Sequence, residues 1–168
     1  MIAKKQGPMS RKESTTAWIV DDDPTYRNFI DAHLKTMGYT TVHFECGEDC
    51  LDHLYKFPDL IILDHNLGEG IDGLETLRRI KSVNPEIPVV YLSAQDDLAS
   101  AVEALKYGVY DYIEKNESAV VRLKNVVNKI NDITNLLKRR YQSQVRILVL
   151  TVITCFVIIL SLVYYFYK

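Results

Sequence analysis

Three short runs, Ala17-Trp18-Ile19-Val20, Leu60-Ile61-Ile62-Leu63 and Val89-Val90-Tyr91-Leu92, are almost continuously apolar, and stretches of helical period separate them. Strands of this kind are buried on both faces. That implies a parallel sheet covered by helices on each side rather than an antiparallel sheet with one wet face. Thr41-Val42-His43-Phe44 and Tyr110-Asp111-Tyr112-Ile113 complete a set of five strands. Helix signals fall between them. Pro24–Met37 opens after Asp23 as N-cap, carries Pro at its first turn and closes at Gly38; Gly47–Lys56 precedes Pro58; Leu74–Asn84 precedes Pro85; and Asp96–Tyr107 ends at Gly108. Five β-α repeats in this span predict a small doubly wound α/β domain with its ligand site at the carboxyl ends of the strands.

The strand ends carry the chemistry. The first runs into Asp21-Asp22-Asp23, the third into Asp64, the fourth into Ser93, and the fifth leads to Lys115. In a parallel sheet these positions share one rim, so carboxylates converge there with a hydroxyl and an ammonium. That set suits Mg²⁺, which takes hard oxygen ligands, together with a phosphoryl group whose oxygens Ser93 and Lys115 hold. An Asp carboxylate in this setting acts as a nucleophile and forms an aspartyl phosphate. Asp and Ser at strand ends are also ordinary loop and cap chemistry, and Asp23 is expected to cap a helix in any case. Four required residue types in the required order outweigh that explanation.

The net charge of -2 hides an asymmetry. Residues 1–117 hold 12 Lys and Arg against 21 Asp and Glu, whereas residues 118–146 hold 7 against 1. From Ile147 to Tyr167 there follow 21 residues without a charge. At about 1.5 Å per helical residue they reach about 31 Å, the thickness of a bilayer core. Lys138, Arg139, Arg140 and Arg146 precede this segment and Lys168 follows it, so the positive-inside bias keeps the acidic body cytoplasmic, with Tyr164, Tyr165 and Tyr167 as an aromatic belt. The stretch Met1–Thr16 is basic and polar and lacks the apolar region of a cleaved signal peptide. Between body and apolar segment, Ala119–Tyr141 is strongly helical: its first half is expected to cover the sheet, and Val126, Ile130, Ile133 and Leu137 have a spacing suited to a short coiled coil. Residues 118–146 accommodate one helix but not a helix-turn-helix module with its own core, so DNA contacts are not expected.

His43, Cys46, Cys50 and His53 lie close enough in sequence to suggest zinc, but Cys50 shares an amphipathic helix face with Leu51 and Leu54, which favours core packing. With one of three cysteines, Cys155, in the apolar segment, disulfides are not expected. His65 is expected to face solvent or a partner, and His33 stands alone, so the phosphoryl donor is another protein.

Ile19-Val20-Asp21-Asp22-Asp23-Pro24, Pro58-Asp59-Leu60-Ile61-Ile62-Leu63-Asp64, Ile71-Asp72-Gly73-Leu74, Val89-Val90-Tyr91-Leu92-Ser93-Ala94 and Asp111-Tyr112-Ile113-Glu114-Lys115 together resemble the receiver domain of two-component response regulators, over approximately Thr15–Lys138. The resemblance implies a flavodoxin-like sheet of order 2-1-3-4-5. It also implies Asp64 as phosphoacceptor, and Mg²⁺ held by Asp21, Asp22 and Asp64 with the backbone carbonyl of Asn66. Lys115 pairs with the phosphoryl group, Ser93 moves toward it and Tyr112 follows as the aromatic switch. The implied partner is a histidine kinase or histidine phosphotransfer protein. Such a chain is a switch, not an enzyme beyond self-phosphorylation from small donors and slow autodephosphorylation. The chain departs from the family pattern in the loop His65-Asn66-Leu67-Gly68-Glu69-Gly70-Ile71, which is one residue longer than usual with Gly68 where proline is common, and at Asn116, where many receivers have a proline that follows a cis peptide.

The expected organisation is a flexible basic segment 1–14, a receiver domain 15–127, a helical stalk 128–146 and a transmembrane helix 147–167. The expected location is a bacterial inner membrane, crossed once, and self-association through the fifth helix, stalk or membrane helix is a further expectation. Two rival readings remain. Asp21-Asp22-Asp23-Pro24-Thr25 fits the D-x-D-x-T signature of haloacid-dehalogenase-type phosphatases, with Asp21 as nucleophile and Asp23 as general acid, but no acidic pair follows Lys115 and Asp64 is left without a role. A pseudo-receiver that docks partners without phosphorylation is disfavoured by the intact acceptor, acidic pair, hydroxyl and lysine.

Overall fold

Strand β1 (Thr16–Val20) is buried at four of its five positions, and β3 (Leu60–Asp64) and β4 (Val89–Ser93) at all five. This follows from the four successive apolar residues in each, Ala17–Val20, Leu60–Leu63 and Val89–Leu92, which leave no face for water. The structure, a computed structural model, describes residues 15–94 and 98–168. The basic segment 1–14 and the expected helix start at Asp96 lie outside the described residues. Strands β2 (Thr40–Phe44) and β5 (Asp111–Glu114) flank the other three in the order β2-β1-β3-β4-β5, all neighbours parallel. This is the flavodoxin-like doubly wound sheet.

The crossovers are α1 (Pro24–Thr36), α2 (Gly47–Asp52), α3 (Gly73–Val83) and α4 (Leu98–Lys106). Helix α1 starts where Asp23 accepts the N–H of Thr25, and α3 where Asp72 accepts the N–H of Glu75. The expected helix Gly47–Lys56 is instead two pieces: α2 stops at Asp52, and a 3₁₀ turn, Leu54–Lys56, runs to Phe57. Phe57 sits before Pro58 in the left-handed region, with φ of 43°, a position from which no helix continues. Beneath the helices, Trp18, Leu63, Leu77, Ile80 and Tyr91 belong to one continuous core. On the β2 edge Asp31 of α1 accepts from Thr41 and from Lys35 and meets His43, joining helix to strand.

Helix α5 (Ala119–Tyr167) is 49 residues long. The chain divides into two compact units between Lys124 and Asn125. In the first, Ala119 and Leu123 are buried. In the second, every residue from Ile147 to Tyr167 is exposed, and by length and composition this is the one helix among the described residues apolar enough to cross a membrane.

Candidate functional site

Register builds the site. Val20 of β1 is level with Leu63 of β3, so the next residue on each strand, Asp21 and Asp64, stands at the same height on the carboxyl rim. On the other side Ser93 pairs with Glu114, and the N–H of Lys115 donates to Ser93 O at 2.7 Å, which delivers the lysine to the same rim. Its ammonium reaches inward, 2.9 Å from Asp21 Oδ2 and 2.9 Å from Asp64 Oδ1. Asp22 completes a group of three carboxylates that offer ligand oxygens within 4.8 Å of one another. Asp21 and Asp64 are buried and Asp22 is exposed, so the cluster is open toward solvent on one side.

Burial pushes the Asp64 carboxyl up to about 6, against the opposing pull of the Lys115 hydrogen bond and charge, with Asp21 adding to the upward shift. Burial also draws the Lys115 ammonium down, but its hydrogen bonds to Asp21 and Asp64 prevail and hold it above the usual lysine range. One cation between two buried carboxylates leaves a net negative site with hard oxygen donors. That fits a small divalent cation such as Mg²⁺, with Asp21, Asp22 and Asp64 as its protein carboxylates.

The rest of the rim is shaped by short backbone contacts. Gly73 opens α3 so close to β3 that a Cβ there would stand 2.0 Å from Asp64 O. In the loop between them Gly68 has φ of +67°, and a Cβ on it would lie 3.2 Å from Asp22 Oδ2. Proline, fixed near −65°, is incompatible with that turn. Asn66 is exposed in the same loop. All described peptide bonds are trans, including those on either side of Asn116.

Two of the switch residues named from sequence, Ser93 and Tyr112, make other contacts. The Ser93 hydroxyl is buried and donates to the neighbouring Ala94 O at 3.2 Å. The Tyr112 ring packs against the core, its centroid 6.2 Å from that of Tyr91. Asp23, the general acid of the phosphatase reading, is engaged as the α1 cap, and its backbone bond to Thr25 lowers its carboxyl. His43, Cys46, Cys50 and His53 form no metal-binding group among the described residues: Cys50 is core, burial raising its thiol to about 12, and His43 pairs with Asp31.

Sequence reasoning missed two groups. Arg27 is buried; it donates to Asp21 O at 2.5 Å and pairs with Glu45 at 2.9 Å. Its signal was present, since Arg27, Ile30 and Leu34 share the buried face of α1. His65 is not simply turned to solvent or a partner: it is half-buried, and its Nδ1 lies 2.7 Å from the hydroxyl of fully buried Tyr91. A tyrosine in a strand of aliphatic residues was the available clue, because a buried phenol takes a polar partner.

Five parallel strands with carboxylates, hydroxyl and lysine on one rim define a receiver-type phosphoacceptor domain. The response regulator receiver domain model matches residues 17–128, and the chain belongs to that family. It is 40% identical over 100 residues to the DNA-binding transcriptional regulator NtrC of Klebsiella pneumoniae, covering 59% of this chain and 21% of the relative. It is 38% identical over 98 residues to the transcriptional regulatory protein ZraR of Salmonella typhimurium, covering 58% and 22%. The crystal structure of the receiver domain of NtrX from Brucella abortus superposes with a TM-score of 0.63 at 32% identity, covering 68% of this chain and 96% of that one. The chain thus aligns with about a fifth of the length of these curated relatives.

Proposed function

We propose that this receiver accepts a phosphoryl group on Asp64 from a histidine kinase or histidine phosphotransfer protein, and signals through protein contacts while tethered to a membrane. The observation that carries the phosphoacceptor reading is the placement of the Lys115 ammonium 2.9 Å from Asp64 Oδ1 at the open rim. In the transfer, a carboxylate oxygen of Asp64 attacks phosphorus, the P–N bond to the donor imidazole breaks, and its electron pair leaves with the nitrogen. Lys115 stays beside the acceptor and pairs with the transferred group. Ser93, one strand away, turns its hydroxyl from Ala94 O toward the phosphoryl oxygens, and Tyr112 follows. Asp21, Asp22 and Asp64, with the Asn66 carbonyl, are the residues to hold Mg²⁺, which when bound neutralises charge on the phosphoryl oxygens.

The tether rests on the uncharged, exposed stretch from Ile147 to Tyr167, which has the length of a bilayer core, and on the basic residues Lys138, Arg139, Arg140 and Arg146 before it. In this reading the receiver faces the cytoplasm of a bacterial cell and its output is a protein surface, through docking or self-association, with no nucleic-acid contact. The chain is a stoichiometric switch and not a turnover catalyst.

The test is incubation of the full chain in detergent micelles with acetyl phosphate and Mg²⁺. One phosphoryl group is expected per chain, and Asp64→Asn is expected to remove it. Repeated turnover of a phosphomonoester that survives Asp64→Asn and is lost in Asp21→Asn would establish the phosphatase reading in its place.

A further inference from the structure

Tyr26 lies in the first turn of α1, and its ring is the seat of the Lys115 ammonium, which stands 4.2 Å from the ring centroid. That is a cation–π distance. The same ammonium touches Asp21 and Asp64, so ring and acceptor carboxylate share one neighbour. The Tyr26 hydroxyl is shielded from solvent and has no hydrogen-bond partner among the described residues. Tyr110 has the other such hydroxyl, but it precedes β5, whose far end leads to Lys115, and so belongs to the opposite end of the sheet.

A buried donor without an acceptor is uncommon and calls for an explanation. Here the surroundings supply one. Burial raises the Tyr26 phenol, and the Asp21 and Asp64 charges push the same way against Lys115, so the hydroxyl keeps its proton at neutral pH. A tethered phosphoryl group brings three strong acceptor oxygens to this place. We propose that Tyr26 is a further phosphoryl-site residue: its ring seats Lys115, and its hydroxyl donates a hydrogen bond to an oxygen of the group being transferred to Asp64. Tyr26 was not among the site residues read from sequence, and its role rests on the reading of Asp64 as phosphoacceptor.

The experiment follows transfer from acetyl phosphate to the full chain in micelles with Mg²⁺. An Asp64 carboxylate oxygen bonds to phosphorus, and the P–O bond to acetate breaks with its electron pair remaining on acetate. Tyr26→Phe keeps the ring over Lys115 and removes only the hydroxyl. Its maximal rate is expected to fall about tenfold, the size of a lost hydrogen bond to a charged acceptor. The Mg²⁺ titration of Trp18 fluorescence is expected to match the parent and the melting temperature to equal or exceed it, since only an unpaired buried hydroxyl is lost, whereas a purely structural role would lower it. Tyr26→Leu, which also removes the seat, is expected to be at least as slow. A labelled parent with Tyr26→Phe or Tyr26→Leu within twofold of its rate overturns the proposal alone. A parent that takes no label, or one labelled equally after Asp64→Asn, overturns the phosphoacceptor reading and this proposal with it.

Discussion

The ammonium of Lys115 bridges to Asp64 Oδ1 at 2.9 Å across the width of β4, joining residues from strands that are not neighbours in the sheet. This single cation is shared with Asp21, and burial still holds the Asp64 carboxyl up to about 6.

A pH dependence of defined sign results. The folded chain retains the Asp64 proton over a range in which the unfolded chain, at an ordinary carboxyl value of 3.8, has lost it. Its contribution to stability is therefore full below the unfolded value and is lost as pH rises through about 6. In EDTA at neutral pH, Asp64→Asn is expected to stabilise the receiver by about 1–3 kcal/mol, because it removes a buried charge while Lys115 keeps Asp21. The difference should shrink toward pH 4. Added Mg²⁺ should raise the melting temperature of the parent more than that of the variant. Thermal melts across this range check all three statements.

Asp22 is the exposed member of the three-carboxylate group, so its loss leaves the buried pair and Lys115 in place. Asp22→Ala is expected to weaken Mg²⁺ by about tenfold or more without unfolding the domain. Trp18, buried in β1 three residues before Asp21, reports the titration by its fluorescence. An unchanged midpoint in the variant would remove Asp22 from the ligand set.

Arg27 and Glu45 form an ion pair whose partners differ in burial: the Arg27 side chain is 9% exposed and that of Glu45 79%. Glu45→Ala is expected to cost less than about 1 kcal/mol, the usual worth of an exposed charge. Arg27→Ala removes the donor to Asp21 O and leaves a gap under α1, so about 2–3 kcal/mol is expected. Denaturant unfolding of the two variants distinguishes an arginine held for the ion pair from one held for the Asp21 carbonyl.

Much of this fold is legible in residue order because its strands are short and apolar. The runs at Trp18, Ile62 and Val90 cannot be exposed on either face, and that alone selects the parallel sheet. The rim residues follow, since each ends or succeeds a strand. What is not legible depends on contacts across the sequence. Tyr91 meets His65 because β3 and β4 are in register, and Arg27 reaches the Asp21 carbonyl because α1 folds back over β1. The expected second helix divides at His53 into α2 and a 3₁₀ turn that the left-handed Phe57 ends before Pro58, a change of backbone state that side-chain periodicity does not encode.

Gly68 provides a fourth test, this one of backbone conformation. With φ of +67° and its Cβ position 3.2 Å from Asp22 Oδ2, it holds the β3–α3 loop against the acidic pair. Gly68→Pro, which installs the residue common at this point in receivers, is expected to weaken Mg²⁺ and lower the melting temperature here, because the ring fixes φ on the other side of zero. Gly68→Ala should cost about 1 kcal/mol and affect Mg²⁺ less. Equal behaviour of glycine and proline in Mg²⁺ titrations would show that the loop adopts a different path in solution.

The last prediction concerns the segment from Ile147 to Tyr167. It holds no charge, and each of its residues is exposed among the described residues. On the proposed tether a bilayer is expected to cover this apolar surface, with Tyr164, Tyr165 and Tyr167 at a headgroup boundary. The full chain expressed in bacterial cells is expected in the membrane fraction and to resist alkaline carbonate. Val157→Arg together with Ile158→Arg places two charges near the middle of the segment, each opposing insertion by about 2.5–3.5 kcal/mol. That variant is expected in the carbonate-soluble fraction, still able to accept a phosphoryl group on Asp64. Carbonate release of the parent chain would overturn the tether, and retention of the doubly charged variant would show that something other than a spanning helix holds the protein at the membrane.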